Sequence, residues 1–382
     1  MATATKSPIA ELQALGQSVW LDNISREILN NGELKRLIAE DGLQGVTSNP
    51  TIFDKAISQS ADYDDAIKTA VTAGGDADAI YQALTVADIQ EALDLFRPLY
   101  DRLNGGDGFV SLEVSPYLAH DTAGTTREAQ ILWDKLARPN ALIKIPGTPE
   151  GLRAIEDSLV AGININVTLL FSVEAYEAVA HAYIRALKRR ADAGKPVNRI
   201  ASVASFFISR IDAEVDKRIE AKLKTETDPA TKAKLESLLG KIAIANAKAA
   251  YASFERIFSG PEWEALKAKG AKPQRVLWAS VGTKNPKYPD TLYIDELVGP
   301  ETVSTMPPAT LDAVRDHARV RLSITENVDD AMRQLKELGE VGIDLKDVTD
   351  QLLREGVASF SKSFDTLMAG IKAKREKLLG KA

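Results

Sequence analysis

Lys144 stands in the middle of Asn140-Ala-Leu-Ile-Lys-Ile-Pro146, one ammonium inside an apolar, β-branched run that reads as a buried strand ending at a proline. Burial disfavours the charged form, so such a lysine must be paired, reach water or lose its proton. A neutral amine is a nucleophile toward carbonyl carbon. That chemistry needs a proton shuttle for carbinolamine formation and dehydration. It also needs a carboxylate to take a hydroxyl proton where a carbon–carbon bond breaks. Asp22 and Glu113, each late in another β-rich run, are the candidates. The competing reading makes Lys144 one half of a buried ion pair with Glu113 or Asp22 and assigns it no chemistry.

The elements that must position these groups are short and regularly spaced. Strands are expected at 18–22, 43–47, 109–114, 141–145, 163–168, 200–205, 275–280 and 302–305. Between them, apolar residues return every three or four positions over 125–137, 149–160, 172–193 and the long stretch 208–258, which predicts helices. Eight strands alternating with helices, several almost wholly apolar, predict a (β/α)8 TIM barrel rather than an open sheet. No linker divides the chain, so residues 1–382 are read as one barrel domain. Residues 210–272 are too many for one connecting helix, and the charged turn near Pro229 predicts an inserted helical hairpin. The tail, about 311–382, predicts further C-terminal helices with Leu345, Val348, Leu352 and Leu353 as a packing stripe, one of them placed to cover the barrel mouth.

Barrel chemistry gathers at the C-terminal ends of strands. Asp22 closes the first strand, and Thr47 and Asn49 the second. Glu113, Lys144, Asn166 with Thr168, Ser205 and Ser280 stand late in the third to seventh. Each has a plainer reading: Asp22 as a helix cap near Ile24, Asn49-Pro50 as a turn, the serines as backbone partners. Polar groups at nearly every strand end are costly to bury unless they converge on a ligand.

Composition narrows the classes. A hydrophobic share of 45% with 27% charged residues is that of a globular protein, not a disordered one. The net charge of −6 argues against general affinity for nucleic acid or anionic membrane, while permitting a local basic pocket. No cysteine is present, which excludes disulfides, thiolate catalysis and Cys-ligated metal and points to a reducing cytoplasm. His120, His181 and His317 are scattered without metal-ligand spacing, so no metal is expected. No Gly-x-Gly-x-x-Gly follows the first strand and no P-loop occurs, leaving dinucleotide or NTP binding unsupported. Residues 1–8 lack an apolar signal core, and no stretch approaches the roughly 18 apolar residues of a membrane span.

The segments Gly45-Val-Thr-Ser-Asn-Pro-Thr-Ile52, Leu142-Ile-Lys-Ile-Pro146, Gly162-Ile-Asn-Ile-Asn-Val-Thr-Leu-Leu-Phe171, Ala204-Ser-Phe-Phe-Ile-Ser-Arg210 and Leu277-Trp-Ala-Ser280 occur in order over about 18–310. Together they resemble the motif series of the transaldolases, and the longer insert and tail resemble the larger bacterial type. The resemblance implies a barrel enzyme of the non-oxidative pentose phosphate pathway that needs no cofactor. Such an enzyme moves a dihydroxyacetone unit from sedoheptulose 7-phosphate or fructose 6-phosphate to an aldose phosphate, glyceraldehyde 3-phosphate or erythrose 4-phosphate. It further implies Lys144 as the Schiff-base lysine, Asp22 as acid/base, and Glu113 acting through a water held with Thr168. Asn49 and Asn166 would hold substrate hydroxyls, with Thr47 beside them and Ser205 near the donor's terminal hydroxyl.

By the same resemblance Arg210 and Ser280 meet the sugar phosphate, for which the guanidinium fork is suited. An i,i+4 pair of Arg210 with Glu214 is the alternative, in the weaker orientation. The family's next basic residue follows its serine closely. Here Val281-Gly-Thr-Lys-Asn285 intervenes, so Lys284 is a shifted substitute and Thr283 a rival for the same place. Sugar phosphates are the expected partners of a monomer or homodimer. Two other functions use the same pocket: an aldolase that releases free dihydroxyacetone from fructose 6-phosphate, and a sugar-phosphate-binding barrel without catalysis.

Overall fold

Eight parallel strands close into a barrel in chain order in the computed structural model, which describes residues 7–380. Residues 1–6, most of the stretch read for a signal core, and 381–382, the end of the expected extension, lie outside the described residues. The strands are β1 (Gln17–Leu21), β2 (Gly45–Val46), β3 (Phe109–Glu113), β4 (Ala141–Pro146), β5 (Ile165–Leu170), β6 (Ser202–Phe207), β7 (Arg275–Ala279) and β8 (Thr302–Met306). The ring closes where β1 pairs with β8, Gln17 opposite Thr302 through Leu21 opposite Met306. Helices cover the outside, so nearly every strand residue is buried and the strands read as continuous apolar runs rather than alternating ones. Each strand expected from the sequence is present, with ends shifted by at most two residues.

Local chemistry starts and stops the connecting helices. Asp121, Thr148 and Ser172 cap the helices Thr122–Leu136, Pro149–Ala161 and Val173–Asp192 by accepting the N–H of Gly124, Gly151 and Ala175. Gly162 ends the second of these at φ 105° and sends the chain into β5. Strand β2 begins at a glycine that is hemmed in: a Cβ on Gly45 would lie 2.6 Å from the Trp20 ring and 2.8 Å from the Phe109 carbonyl. In β5 the register shifts between Val167 and Leu170, and Leu169 takes φ 60° at that bulge.

Four connections depart from one helix per strand, the first being β1–β2 with the short helices Arg26–Asn30, Glu33–Arg36 and Leu37–Asp41. Between β2 and β3 lie the helices Pro50–Gln59, Asp64–Thr72 and Ala77–Arg102, which the hydrophobic pattern left unassigned. The segment 210–272, expected as a hairpin, carries Ser209–Leu223, Pro229–Leu238, Ile242–Ile257 and Pro261–Lys267, the first two turning back on each other at 224–228. After β8 come Pro308–His317, Val328–Glu340 and Leu345–Leu378.

The last of these runs across the C-terminal end of the barrel. Its buried stripe includes Val348 and Leu352, as expected, and continues through Phe360, Phe364, Leu367 and Ile371, while Leu345 and Leu353 are half-buried at its edge. Gly356 lets it pass over the β5 bulge, where a Cβ would stand 2.9 Å from Leu169 Cδ2. Arg218 holds its start through Asp347 at 2.7 Å. Ser363 meets Thr51 at 2.8 Å, and Lys374 donates to the carbonyls of Ile57 and Ser60 at 3.1 and 3.0 Å. Among the described residues no helix is long and apolar enough to cross a membrane.

Candidate active site

A cavity of about 580 Å³ opens at the C-terminal end of the barrel under this helix. Its floor and walls include Asp22, Thr47, Asn49, Lys144, Thr168, Ser205, Arg210, Ser280 and Lys284, with Phe360 closing one side. Nine of the eleven residues singled out from the sequence therefore converge on one space. Glu113 and Asn166 stand in the barrel wall beside it, each opposite Lys144 in the register of its neighbouring strand.

Lys144 is 5% exposed. Its Nζ donates to the Ser48 carbonyl at 2.9 Å and lies 3.4 Å from Glu113 Oε2. That second separation is an ion pair rather than a good hydrogen bond, and neither Glu113 oxygen has a hydrogen-bond partner among the described residues. The Thr168 hydroxyl is likewise buried and unpartnered. Burial holds the Glu113 carboxyl above its ordinary range, with Lys144 pulling it back down and the Asp22 charge adding to the rise.

Asp22 faces the cavity from the end of β1. Its Oδ1 accepts the Thr47 hydroxyl at 2.6 Å, and Thr47 Oγ1 is in turn 2.7 Å from Thr305 Oγ1. The protein packed around it raises its carboxyl. Lys144, the Thr47 hydrogen bond, Lys284 and Arg210 each act the other way. The helix-cap reading of Asp22 is not realised, since Ser25 caps the helix Arg26–Asn30.

Asn49 does cap a helix: its Oδ1 accepts the Ile52 N–H at 3.0 Å, which leaves its amide NH2 free toward the cavity it lines. Asn166 is fully buried, donating to Ser111 Oγ at 3.0 Å and accepting from Ser205 Oγ at 2.7 Å. Both of its ends are engaged inside the barrel, so one amide hydrogen remains to offer a ligand.

The far end of the cavity is cationic. Arg210 lies over the Phe207 ring at 5.3 Å, and no carboxylate among the described residues is within ion-pair distance. The alternative partner, Glu214, is taken by Lys217 at 3.2 Å and Arg218 at 2.9 Å. Burial pushes the Arg210 guanidinium down from its ordinary value, but not out of its charged form. Lys284 stands exposed at the rim, its ammonium pushed down by the packing around it and by Arg210. Thr283 does not line the cavity. Ser280 takes φ 55°, and its Oγ is 3.0 Å from Ser209 Oγ at the start of the helix that carries Arg210.

Three contributors escaped the sequence reading. Thr305 stands late in the eighth strand and follows the same strand-end rule as the others. Phe207 stands three residues before Arg210, a spacing that places an aromatic under a guanidinium. The Ser48 carbonyl that receives Lys144 carries no side-chain signal at all. The three histidines are exposed, two of them beside surface carboxylates. Among the described residues no group of three or more His, Asp or Glu side chains is arranged to hold a metal ion.

Residues 19–371 match the family described as Transaldolase/Fructose-6-phosphate aldolase. A protein of Trichodesmium erythraeum named Transaldolase is 48% identical over 373 residues, covering 97% of this chain and 98% of its own length. Proteins of the same name from Parafrankia sp. and Acidothermus cellulolyticus are each 49% identical, over 366 and 376 residues. They cover 96% and 97% of this chain and 97% and 99% of their own lengths.

Proposed function

The chain belongs to the transaldolase/fructose-6-phosphate aldolase family, and we propose that it is a transaldolase, carrying a dihydroxyacetone unit between sugar phosphates on Lys144. The observation that carries this is the setting of Lys144: a buried amine at the floor of a sugar-sized cavity, with Glu113 beside it and Asp22 across from it. A purely binding site for a phosphorylated sugar needs neither carboxylate.

With its ammonium proton passed to Glu113, Lys144 Nζ attacks the ketose carbonyl carbon, and the carbon–nitrogen bond forms as the carbonyl oxygen gains a proton. Loss of water from the carbinolamine then leaves an iminium, with Glu113 moving the protons. Glu113 and Thr168 are two buried polar groups without protein partners, and a water between them satisfies both and relays to the reacting oxygen. The iminium draws electrons from the C3–C4 bond. Asp22 takes the C4 hydroxyl proton as that bond breaks, the aldose phosphate departs, and an enamine stays on Lys144. Attack of the enamine on an acceptor aldehyde and hydrolysis of the new iminium free the product and the amine. Asn49, Asn166, Ser205 and Thr47 hold donor hydroxyls or the groups that meet them. Arg210, Ser280 and Lys284 hold the phosphate.

Borohydride reduction in the presence of fructose 6-phosphate tests this, with mass mapping of the labelled peptide. A three-carbon adduct on Lys144, lost in Lys144→Met, is expected; labelling elsewhere, or none, overturns the reading. Consumption of fructose 6-phosphate at full rate without an acceptor aldehyde would replace transfer by release of free dihydroxyacetone.

A further inference from the structure

The helix Ser209–Leu223 that supplies Arg210 also grips the connection that supplies Ser280 and Lys284. Ser209, Asp212 and Asp216 share one of its faces. The Ser209 N–H donates to the Ser280 carbonyl at 3.0 Å. The Tyr293 hydroxyl donates to Asp212 Oδ2 at 2.9 Å, and the Tyr288 hydroxyl to Asp216 Oδ2 at 2.6 Å. The other oxygen of each carboxylate faces the insert: Asp212 Oδ1 accepts the Ala243 N–H at 2.7 Å and Asp216 Oδ1 the Gly240 N–H at 3.0 Å. Gly240 has φ 66°, and a Cβ there would be 2.6 Å from the Tyr288 ring, so the turn and the ring are fitted to each other.

Between these anchors Val281 packs into the core, and the loop's backbone is otherwise untied. From 281 to 287 no backbone N–H or carbonyl bonds to another element among the described residues. Its position against Arg210 is therefore set at its ends, by Ser280 on Ser209 and by the two tyrosines on the two aspartates. Neither aspartate nor either tyrosine lines the cavity. Burying two carboxylates is expensive, and each here has both oxygens satisfied, an arrangement that holds a fixed geometry. Burial pushes both phenols up, so they remain donors at any working pH.

We propose that Tyr288 and Tyr293, clamped by Asp216 and Asp212, are positioning residues that fix loop 280–284 against Arg210 and so set the affinity for the phosphate end of the sugar. The inference rests on the reading of Arg210, Ser280 and Lys284 as the phosphate site. It also accounts for the insert after β6, whose turn at 240–243 buttresses the clamp. A loop held ready loses little freedom when the phosphate arrives, whereas a loosened one must be ordered at the expense of binding.

The test uses the full chain with Tyr288→Phe, Tyr293→Phe and, as reference, Arg210→Met. Each tyrosine variant should raise KM for fructose 6-phosphate about fivefold, the net effect of one ordinary hydrogen bond, with kcat within about twofold. The rate at which unphosphorylated dihydroxyacetone is trapped on Lys144 by borohydride should not change. Arg210→Met should raise KM for the phosphorylated donor and also spare trapping. If Arg210→Met raises KM and neither tyrosine variant does, the positioning role is refuted. If the tyrosine variants slow trapping of dihydroxyacetone as much as they impair fructose 6-phosphate, the clamp supports the fold and not the phosphate, which also refutes it. If Arg210→Met leaves KM unchanged, the phosphate site itself was misassigned.

Discussion

Glu113 and Lys144 are register partners on adjacent parallel strands, their charged ends 3.4 Å apart and both almost wholly buried. Were the pair kept for stability, its carboxylate would be expected to fill its remaining acceptor sites, because a buried ion pair repays its desolvation only when fully hydrogen-bonded. Glu113 instead leaves both oxygens without a protein hydrogen bond, while Lys144 takes one bond to a backbone carbonyl. A carboxylate so placed, and raised by burial, is suited to take and return protons beside the amine.

Replacing Glu113 by Gln keeps the shape and removes the base. General acid–base assistance is worth about 10²–10⁴ in rate, so kcat for transfer should drop within that range while KM changes little. Steady-state kinetics with fructose 6-phosphate and erythrose 4-phosphate reads this directly. A kcat within threefold of the parent would remove Glu113 from the proton path.

Asp22 must be ionised to accept the C4 hydroxyl proton, and burial raises it above its ordinary 3.8. The acid limb of kcat/KM should therefore lie above the usual aspartate range, activity falling as pH drops through the raised value. The Thr47 hydroxyl bonds the ionised form and so lowers that value. Thr47→Val should move the acid limb to higher pH and cost roughly fivefold at neutral pH, about one hydrogen bond. A limb that stays in place, or moves down, contradicts the role given to this contact.

The candidate set is legible because a parallel strand has a direction. Once Lys144 was read as lying late in a strand, every other polar strand end fell at the same end of the barrel, and Asp22, Thr47, Thr168, Ser205 and Ser280 now line one cavity. What escaped had no periodic signature. The helix Ala77–Arg102 packs on several sides, burying Asp88 with Ile89, Ala92 with Leu93 and Leu99 with Tyr100, so its apolar residues do not form one stripe, and Pro98 interrupts it. Asn166 is readable as a ligand candidate from its place in the strand, whereas its hydrogen-bond partners Ser111 and Ser205 come from strands far away in sequence and carry no local signal. The Asp212 and Asp216 clamp is equally silent, because two acidic residues on a charged helix read as a solvated face until the tyrosines close over them.

Phe360 is 4% exposed and brings the C-terminal helix to the cavity wall. Its role in excluding water predicts a change in partition. In Phe360→Ala, water should reach the covalent intermediate, raising the share of free dihydroxyacetone relative to transferred product when acceptor is limiting. Stability should fall by about 3 kcal/mol, as for a large-to-alanine change in a packed site. Product ratios by chromatography and a denaturant melt measure the two effects; an unchanged ratio would mean that the helix packs there without shielding the chemistry.

Asp212 provides a test that needs no substrate. Burial, and then the neighbouring Asp216 charge, push its carboxyl up to about 7, against an ordinary value of 3.8, while the bonds from Ala243 and Tyr293 oppose the rise. The titratable groups facing it are Asp216, Tyr293 and Tyr288, and no cation among the described residues pairs with it. The folded state thus binds a proton that the unfolded chain has already released, so this group favours folding at low pH. Its contribution fades as pH rises from about 4 to about 7 and is gone above that, a swing on the order of 4 kcal/mol by linkage. Asp212→Asn abolishes the titration. Its stability relative to the parent, from urea unfolding at pH 5 and pH 8, should therefore improve toward the higher pH. A difference between the two proteins that stays constant across that interval would show that Asp212 ionises as an ordinary aspartate, and that its two hydrogen bonds outweigh its burial.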